Sequence, residues 1–118
     1  MEENKMKFDV NRVKIVVTIP VDNVEQVRSA VCEAGAGIIG NYSYCTSSTK
    51  SIGTFKPNEN ANPYIGKSNN LEIVEEETLE FVCKVENVKK VIAELRNAHP
   101  YEEPAIDIIP LIDEECFS

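Results

Sequence analysis

The chain has 118 residues, of which 20 are acidic, 12 are basic and 42% are hydrophobic, and its net charge is −8. This length and composition predict a single domain with its own hydrophobic core. The negative net charge would repel the negatively charged phosphate backbone of DNA or RNA. The sequence also has no stripe of basic and aromatic residues, so both observations argue against nucleic-acid binding. No apolar run approaches the roughly 20 residues of a membrane span, and the N-terminus lacks the apolar stretch of a signal peptide. We therefore expect a cytoplasmic protein without membrane contact.

A strand pattern and then a helical pattern open the chain. Hydrophobic residues at every second position predict a half-buried strand that ends at Pro20. These residues are Val13, Ile15, Val17 and Ile19. Asp22, with Glu25 three residues later, predicts a capped helix start, and apolar residues at helical spacing continue until Gly35. Residues 42–49 are predicted to form the second strand.

The second half repeats this order after a long connection. Residues 51–70 are rich in glycine and asparagine, and they predict either a functional loop or hairpin extension, or a hairpin tip without function. An alternating pattern follows from residue 79 to 86, then a helix capped by Asn87 and a strand over residues 105–111. Two β-α-β units predict an α+β fold, the ferredoxin-like split β-α-β sandwich, with both helices on one face. A Rossmann sheet fits poorly, because it needs more strands and a glycine-rich turn directly after the first strand.

The single histidine lies in the segment from His99 to Pro104, between the second predicted helix and the last predicted strand. Proline fixes its own φ and biases the preceding residue towards extended backbone, so His99 and Glu103 are predicted to be held in a defined turn. Side chains held in this way suit a binding site. The alternative is that the two prolines only end one element and start the next, with Tyr101 packed at the edge of the core.

The four cysteines lie far apart, and no Cys-x-x-Cys pair occurs. Isolated cysteines in a reducing compartment usually behave as small hydrophobic residues, and this spacing has no zinc signature. Cys45 is the exception to watch, because it lies in a polar segment where a thiol could be accessible. The alternative for Cys45 is a strand residue that faces the core.

Several motifs, in one order along the chain, resemble the inserted domain of the Nif-three-like family, also called YqfO-like. The similarity runs from about Val13 to Leu111. The motifs are residues 35–45 (GAGIIGNYSYC), 53–57 (GTFKP), 61–66 (ANPYIG), 74–76 (VEE) and 98–107 (AHPYEEPAID). The resemblance implies a free-standing version of that domain. We expect an N-terminal segment at 1–11, the domain at 12–111 with its loop extension at 51–70, and an acidic tail at 112–118 that is disordered.

Full-length members of this family are often described as dinuclear-metal proteins or as homologues of a type 2 GTP cyclohydrolase I, with metal ligands on the flanking halves. One histidine cannot supply the several imidazoles of such a site, so neither that metal chemistry nor an enzymatic activity is transferred to this chain. The inserted domain itself resembles the trimeric PII signalling proteins and the CutA divalent-cation-tolerance proteins, which form ligand clefts between subunits. The resemblance therefore implies a PII/CutA-like homo-oligomer, with a trimer as the favoured assembly.

Two positions depart from the family pattern. A further glycine is expected after Gly66, and an asparagine in residues 67–71 is predicted to substitute for it because asparagine tolerates positive φ. Thr78 stands where an arginine is often found, which leaves the neighbouring glutamates without a local cation. This favours cation binding, or subunit pairing through another basic group, over anion binding, and a solvated acidic edge is the alternative. The glutamates are Glu75, Glu76, Glu77 and Glu80.

These observations favour a small oligomeric module that binds a ligand or a metal, or regulates a partner, and has no catalytic site. A weakly bound divalent metal ion is the candidate cofactor, because imidazole and carboxylate groups suit borderline divalent ions. Its candidate ligands are His99, Glu102 and Glu103. In this hypothesis the histidine segment of one subunit meets residues 41–45 or 62–64 of a neighbour. The candidate ligand or interface residues are His99, Tyr101, Glu102, Glu103, Asn41, Tyr42, Ser43, Cys45, Asn62, Pro63 and Tyr64.

The alternative is a purely structural or protein-interaction module with no ligand, which fits a protein partner. Tyr42, Tyr64 and Tyr101 would then be interface aromatics, and the glycines would allow close backbone approach. An enzyme is the weakest hypothesis, because the sequence has no Ser/His/Asp constellation and no P-loop, and offers one histidine as a general base.

Overall fold

The computed structural model describes residues 8–117, so residues 1–7 of the predicted N-terminal segment and residue 118 of the predicted tail lie outside the described part. Four strands and two α-helices follow one another along the chain. Their bounds are β1 at Arg12–Pro20, α1 at Val24–Glu33, β2 at Thr46–Phe55, β3 at Glu72–Lys84, α2 at Val88–Ala98 and β4 at Ile106–Pro110.

The strands form one antiparallel sheet in the order β2-β3-β1-β4. Strand β1 is central, and its Ile15 pairs with Phe81 of β3 on one side and with Ile108 of β4 on the other. This is the strand order of two interlocked β-α-β units. It confirms the predicted α+β, ferredoxin-like fold.

The hydrophobic core lies between one face of the sheet and the two helices. Alternate residues of β1 are buried, as the period of two predicted, and valines and a leucine from the helices pack against them. The largest fully buried side chains are Ile15, Val17, Ile19, Val27, Val31, Leu79, Val91 and Leu95. Because side chains alternate along a strand, the even-numbered residues of β3, such as Glu76, face away from this core.

Each helix follows its strand through the same short motif, Val-Asp/Glu-Asn-Val, at residues 21–24 and 85–88. In both copies the first three residues form a 3-10 turn, and the asparagine becomes the N-cap residue without a side-chain capping hydrogen bond. The predicted cap at Asp22 is therefore wrong, since the 3-10 turn moves the helix start to Val24. Asn87 has the predicted position but not the capping bond.

Helix α1 ends as its glycine predicted. Gly35 has a φ of 112°, and its N–H donates to the carbonyl of Cys32 while the N–H of Ala36 donates to the carbonyl of Val31. These two bonds are those of a Schellman motif, which needs a left-handed residue at this position.

The β2–β3 hairpin is longer than the hydrophobic pattern predicted. Residues 51–55 belong to β2 instead of the loop, β3 begins at Glu72 instead of residue 79, and residues 42–45 precede β2. A continuous backbone ladder joins the two strands, from Thr46 opposite Phe81 to Phe55 opposite Glu72. The outer part of the hairpin buries few apolar side chains, so no alternating pattern marks it.

The described part of the tail differs from the expected disorder. Residues 114–117 form a 3-10 turn, and the ring of Phe117 lies 5.7 Å from that of Phe8. Asp113 accepts a 2.8 Å hydrogen bond from Nε of Arg12. Among residues 8–117, neither helix has the length and apolar character needed to cross a membrane.

Candidate functional site

A cavity of about 540 Å³ lies where the end of β2 meets two loops. One loop is residues 56–71, between β2 and β3, and the other is residues 99–104, which we call the histidine turn. Cavities of this size hold small organic ligands in other proteins. The lining includes Gly53, Phe55, Tyr64, Glu76, Tyr101 and Glu102.

The 56–71 loop closes on itself through one backbone hydrogen bond and one hydrogen bond from a serine hydroxyl to the backbone. The N–H of Asn69 donates to the carbonyl of Pro57 over 2.6 Å, and Ser68 Oγ donates to the carbonyl of Asn58 over 3.3 Å. Asn69 has a φ of 63°, which confirms that an asparagine takes the left-handed position predicted there. The loop is therefore a folded wall of the cavity.

A hydrogen bond joins the loop to the histidine turn. The backbone N–H of Asn62 donates to Oε1 of Glu102 over 2.9 Å, and Pro63 and Tyr64 line the cavity beside it. Two of the predicted site segments thus meet within a single chain. Glu103 also lines the cavity, and both glutamate side chains are exposed.

His99 is buried at the base of the turn, with 5% of its surface exposed. Its Nδ1 accepts a 3.1 Å hydrogen bond from the N–H of Tyr101, so the proton is on Nε2, which donates to the carbonyl of Thr18 over 2.8 Å. Both ring nitrogens of the neutral imidazole are therefore engaged with backbone groups. Through these two bonds His99 fixes the turn against β1.

Burial lowers the pKa of His99, although the Thr18 carbonyl and the Glu76 carboxylate act in the opposite direction. The unfolded chain binds a proton at this residue near pH 6.5, while the folded protein resists it until the pH is lower. The free energy of unfolding should therefore fall as the pH drops through 6.5 towards the lower folded pKa.

We expect a H99Q variant to lose this pH dependence. Between about pH 7 and about pH 5, the wild-type protein should lose up to ~1 kcal/mol more stability than the variant. Urea denaturation at several pH values measures the difference. If the free energy of unfolding changed with pH in the same way for the two proteins, His99 would have the same pKa in the folded and unfolded states.

Tyr101 is the centre of an aromatic group beside the cavity. Its ring centroid lies 5.8 Å from that of Phe55 at 61°, 6.4 Å from that of Tyr64 and 5.0 Å from that of His99. Its hydroxyl donates to Oε2 of Glu76 over 2.7 Å. Burial, followed by the Glu76 carboxylate, raises the pKa of Tyr101, so the hydroxyl remains a donor.

Glu76 is a buried carboxylate on the sheet face opposite the core, with 5% of its surface exposed. It packs against Gly53 of the neighbouring strand, where an added Cβ would lie 2.8 Å from Cδ of Glu76 and closer still to Oε1. Glycine inside a strand often marks such a close approach. Gly53 thus leaves the space that the carboxylate occupies.

The structure gives the predicted metal ligands different surroundings. His99 has no free nitrogen, Glu102 is bound to a backbone N–H, and Glu103 is exposed. Among residues 8–117, no three His, Cys, Asp or Glu side chains are grouped as a metal site requires. A metal ion at His99 would have to replace one of its two hydrogen bonds.

The predicted residues of the 41–45 segment lie away from the cavity, before the other end of β2. Asn41, Tyr42 and Ser43 are exposed, and Cys45 is half-buried, with its N–H donating to the carbonyl of Gly37 over 2.8 Å. Ile39 and Tyr42 form a bridge that turns this segment. Within one chain these residues do not join the histidine turn.

Sequence reasoning missed Glu76, Gly53 and Phe55 as cavity residues. Glu76 was included in an acidic run, and the other three members of that run are partly or fully exposed. Alternation with the buried Leu79 and Phe81 indicates which sheet face Glu76 occupies. Only the β2–β3 register, with Ser51 opposite Glu76, brings Gly53 next to it.

Relatives of the chain were found by sequence. It is 52% identical over 101 residues, 86% of its length, to a protein of Halalkalibacterium halodurans named GTP cyclohydrolase 1 type 2 homolog. It is 47% identical over 98 residues to the protein of the same name from Bacillus subtilis. The matches cover 27% and 26% of those proteins, so the chain spans about a quarter of the relatives' length. No protein-family model matches the chain.

Solved structures of similar fold include a NIF3-related protein and CutA proteins. A Bacillus cereus protein related to NIF3 superposes with a TM-score of 0.75 and 40% identity, over 92% of this chain and 28% of that one. CutA1 from Shewanella sp. SIB1 superposes with a TM-score of 0.65 over 90% of this chain and 86% of that one. Its identity is 18%, so this second likeness concerns the fold alone.

Proposed function

Because the chain is homologous to one segment of the NIF3-related proteins, about a quarter of their length, we propose that it is a binding module for a small ligand, without a reaction of its own. The name GTP cyclohydrolase 1 type 2 homolog belongs to the longer relatives. Most of their length has no counterpart in the matched residues, so the proposal assigns no cyclohydrolase chemistry to this chain.

The observation that carries the proposal is the construction of the cavity. Its walls come from four separate segments of the chain, and two hydrogen bonds link three of them: Asn62 to Glu102, and Tyr101 to Glu76. Glu76 places a buried polar group among apolar and aromatic side chains, which is the usual composition of a ligand site. A turn that served only to connect α2 with β4 would need neither the cavity nor the buried carboxylate.

We propose further that the module works as a homo-oligomer, with a trimer favoured. The exposed 41–45 segment of one copy would then approach the cavity of its neighbour and add Tyr42 or Cys45 to the site. A weakly held divalent ion at the exposed Glu102 and Glu103 is the metal-binding version of the proposal. Native mass spectrometry of the full chain measures the number of subunits and any retained mass in one spectrum.

Fragment binding tests the proposed function. Backbone amide chemical shifts of the full chain are recorded with small fragments in sets of cationic, neutral and anionic members. Binding at the cavity should move the amides of the non-proline residues in 53–57 and 99–104, and Y101F should weaken it because the anchor of Glu76 is lost. S29A removes a hydroxyl from an exposed side chain of α1 outside the cavity, so it should bind as the wild type does. Shifts confined to other surfaces, or none with any fragment, would overturn the proposal.

A second candidate, an interaction module, is favoured by the exposed aliphatic side chains of the hairpin. Ile52 is 73% exposed, Ile73 is 68% exposed and Leu71 is 63% exposed. Thr54 of β2 lies opposite Ile73 of β3. Ile52 is two residues before Thr54, so it is on the same sheet face as Ile73 and is its diagonal neighbour. Exposed apolar patches of this kind often mark contacts between proteins.

If the hairpin patch forms the contact between copies, we expect I73K to raise the dissociation constant of the homo-oligomer about tenfold. This corresponds to a loss of about 1.4 kcal/mol of association free energy. The lysine would place a charge in the aliphatic patch. V85K is the matched control, because Val85 is 46% exposed and follows β3 outside the hairpin. Native mass spectra over a dilution series give the constants, and equal effects of the two variants would count against the hairpin as the contact.

A further inference from the structure

We infer that the cavity takes a small organic cation, a molecule with an ammonium or guanidinium group on an apolar body. This inference rests on the proposed ligand-binding function and names the chemical class of the ligand. It follows from the charge, the burial and the aromatic lining of the site.

The first reason is the buried negative charge. Glu76 is 5% exposed, and its hydrogen bond in the structure comes from the neutral hydroxyl of Tyr101. The ion pairs found among residues 8–117 use other carboxylates, those of Asp113, Glu80 and Glu25. A buried carboxylate is costly unless a cation compensates it. A cationic ligand would supply the missing charge.

The second reason is the balance of charge around the opening. Glu102 and Glu103 line the cavity together with Glu76, whereas Lys56 is the one basic residue in the lining. Three carboxylates against one ammonium leave the lining with a net charge of −2. A site with this field attracts cations and repels anions, which agrees with the absence of a basic residue at Thr78.

The third reason is the aromatic lining, which separates an organic cation from a metal ion. Phe55, Tyr64 and Tyr101 line the cavity, and among residues 8–117 no three acidic, histidine or cysteine side chains are grouped as a metal site requires. A divalent metal ion needs several oxygen or nitrogen ligands at short distance. An ammonium or guanidinium group instead gains from an aromatic face and from a single carboxylate.

The test uses three molecules with the same chain length and different charge. They are cadaverine, which is cationic, pentane-1,5-diol, which is neutral, and glutarate, which is anionic. Each is titrated into the full chain at physiological salt, and the amide shifts of the non-proline residues in 53–57 and 99–104 report binding at the cavity. We expect cadaverine to bind at least about tenfold more tightly than the diol, and glutarate not to bind.

Charge-neutralising variants locate the preference. E76Q keeps an acceptor for Tyr101 but removes the charge, and it should weaken cadaverine about tenfold while leaving the diol unchanged. E86Q makes the same change at an exposed position before α2 and should have no effect. If E76Q does not fold, the exposed pair E102Q/E103Q gives the second test, and it should also weaken cadaverine selectively.

The outcomes separate this inference from the proposed function. Equal binding of cadaverine and the diol would overturn the preference for a cationic ligand but leave a ligand cavity. A preference for cadaverine that survives the variants would overturn the assignment of that preference to these carboxylates, and it would also leave a ligand cavity. No shift at the cavity with these probes or with the fragment sets overturns both. A third outcome is that the wild-type protein is an oligomer that binds no cadaverine, and that E76Q dissociates it. The cation beside Glu76 would then be a side chain of a neighbouring copy, and the inference would be wrong.

Discussion

Replacing His99 with alanine should lower the free energy of unfolding by about 3 kcal/mol. The change removes the imidazole partner of two part-buried backbone groups, the carbonyl of Thr18 and the N–H of Tyr101. It also removes the imidazole that packs 5.0 Å from the ring of Tyr101. An unpaired buried polar group costs more than a hydrogen bond contributes, so two of them account for most of the loss.

Urea denaturation at neutral pH measures this effect, and N97A is the control. Asn97 is exposed in the last turn of α2, so its substitution changes the same region without removing a buried contact. The amide shifts of residues 101–103 should also move in H99A, because the turn loses its attachment to β1. A loss below about 1 kcal/mol would show that water or a rearranged turn satisfies both backbone groups.

The histidine turn shows what the sequence could predict about the site. The two prolines that follow His99, at positions 100 and 104, indicated a fixed turn, and the alternation of β1 indicated the sheet beneath it. The acceptor of the imidazole, however, is a backbone carbonyl of Thr18, 81 residues away. Every residue carries such a carbonyl, so no side-chain pattern could identify this partner, and it became visible only when β1 and the turn were placed together.

Glu76 shows a second limit of prediction from the sequence, because a visible side chain could not be told apart from similar ones nearby. Its side chain was visible in the sequence, but four nearby glutamates looked alike there. The position of Gly53 decides which of them is buried, and that position depends on the register of a hairpin whose outer part has no hydrophobic alternation. Register is poorly specified by sequence where neither face of a strand is buried.

The fold itself was accessible because its signals are local and repeated. Alternating residues in β1, helical spacing in α1 and the left-handed glycine at 35 each agree with the same β-α-β unit, and the second half has the same order. The motif Val-Asp/Glu-Asn-Val before both helices adds to this agreement. Consistency between local signals and the overall fold is what makes a topology predictable.

Substituting Gly53 with alanine should destabilise the protein by about 2 kcal/mol and abolish fragment binding at the cavity. An alanine in a strand is ordinarily more favourable than a glycine, so without a steric conflict the change would be slightly stabilising. Here the new Cβ would lie 2.8 Å from Cδ of Glu76. The carboxylate must move, and its hydrogen bond with Tyr101 is then lost.

A compensating variant separates this conflict from a general effect on β2. In G53A/E76D the acidic side chain is one methylene shorter, which makes room for the Cβ. We expect the double variant to be about 1 kcal/mol more stable than the sum of the single changes. Denaturation of the four proteins gives this coupling, and the amide shifts show whether cavity binding returns. Additive losses of stability would mean that Gly53 matters only for the backbone of β2. Coupling of the expected size would establish that the missing side chain of Gly53 leaves the space in which the sheet holds a buried carboxylate beside the cavity.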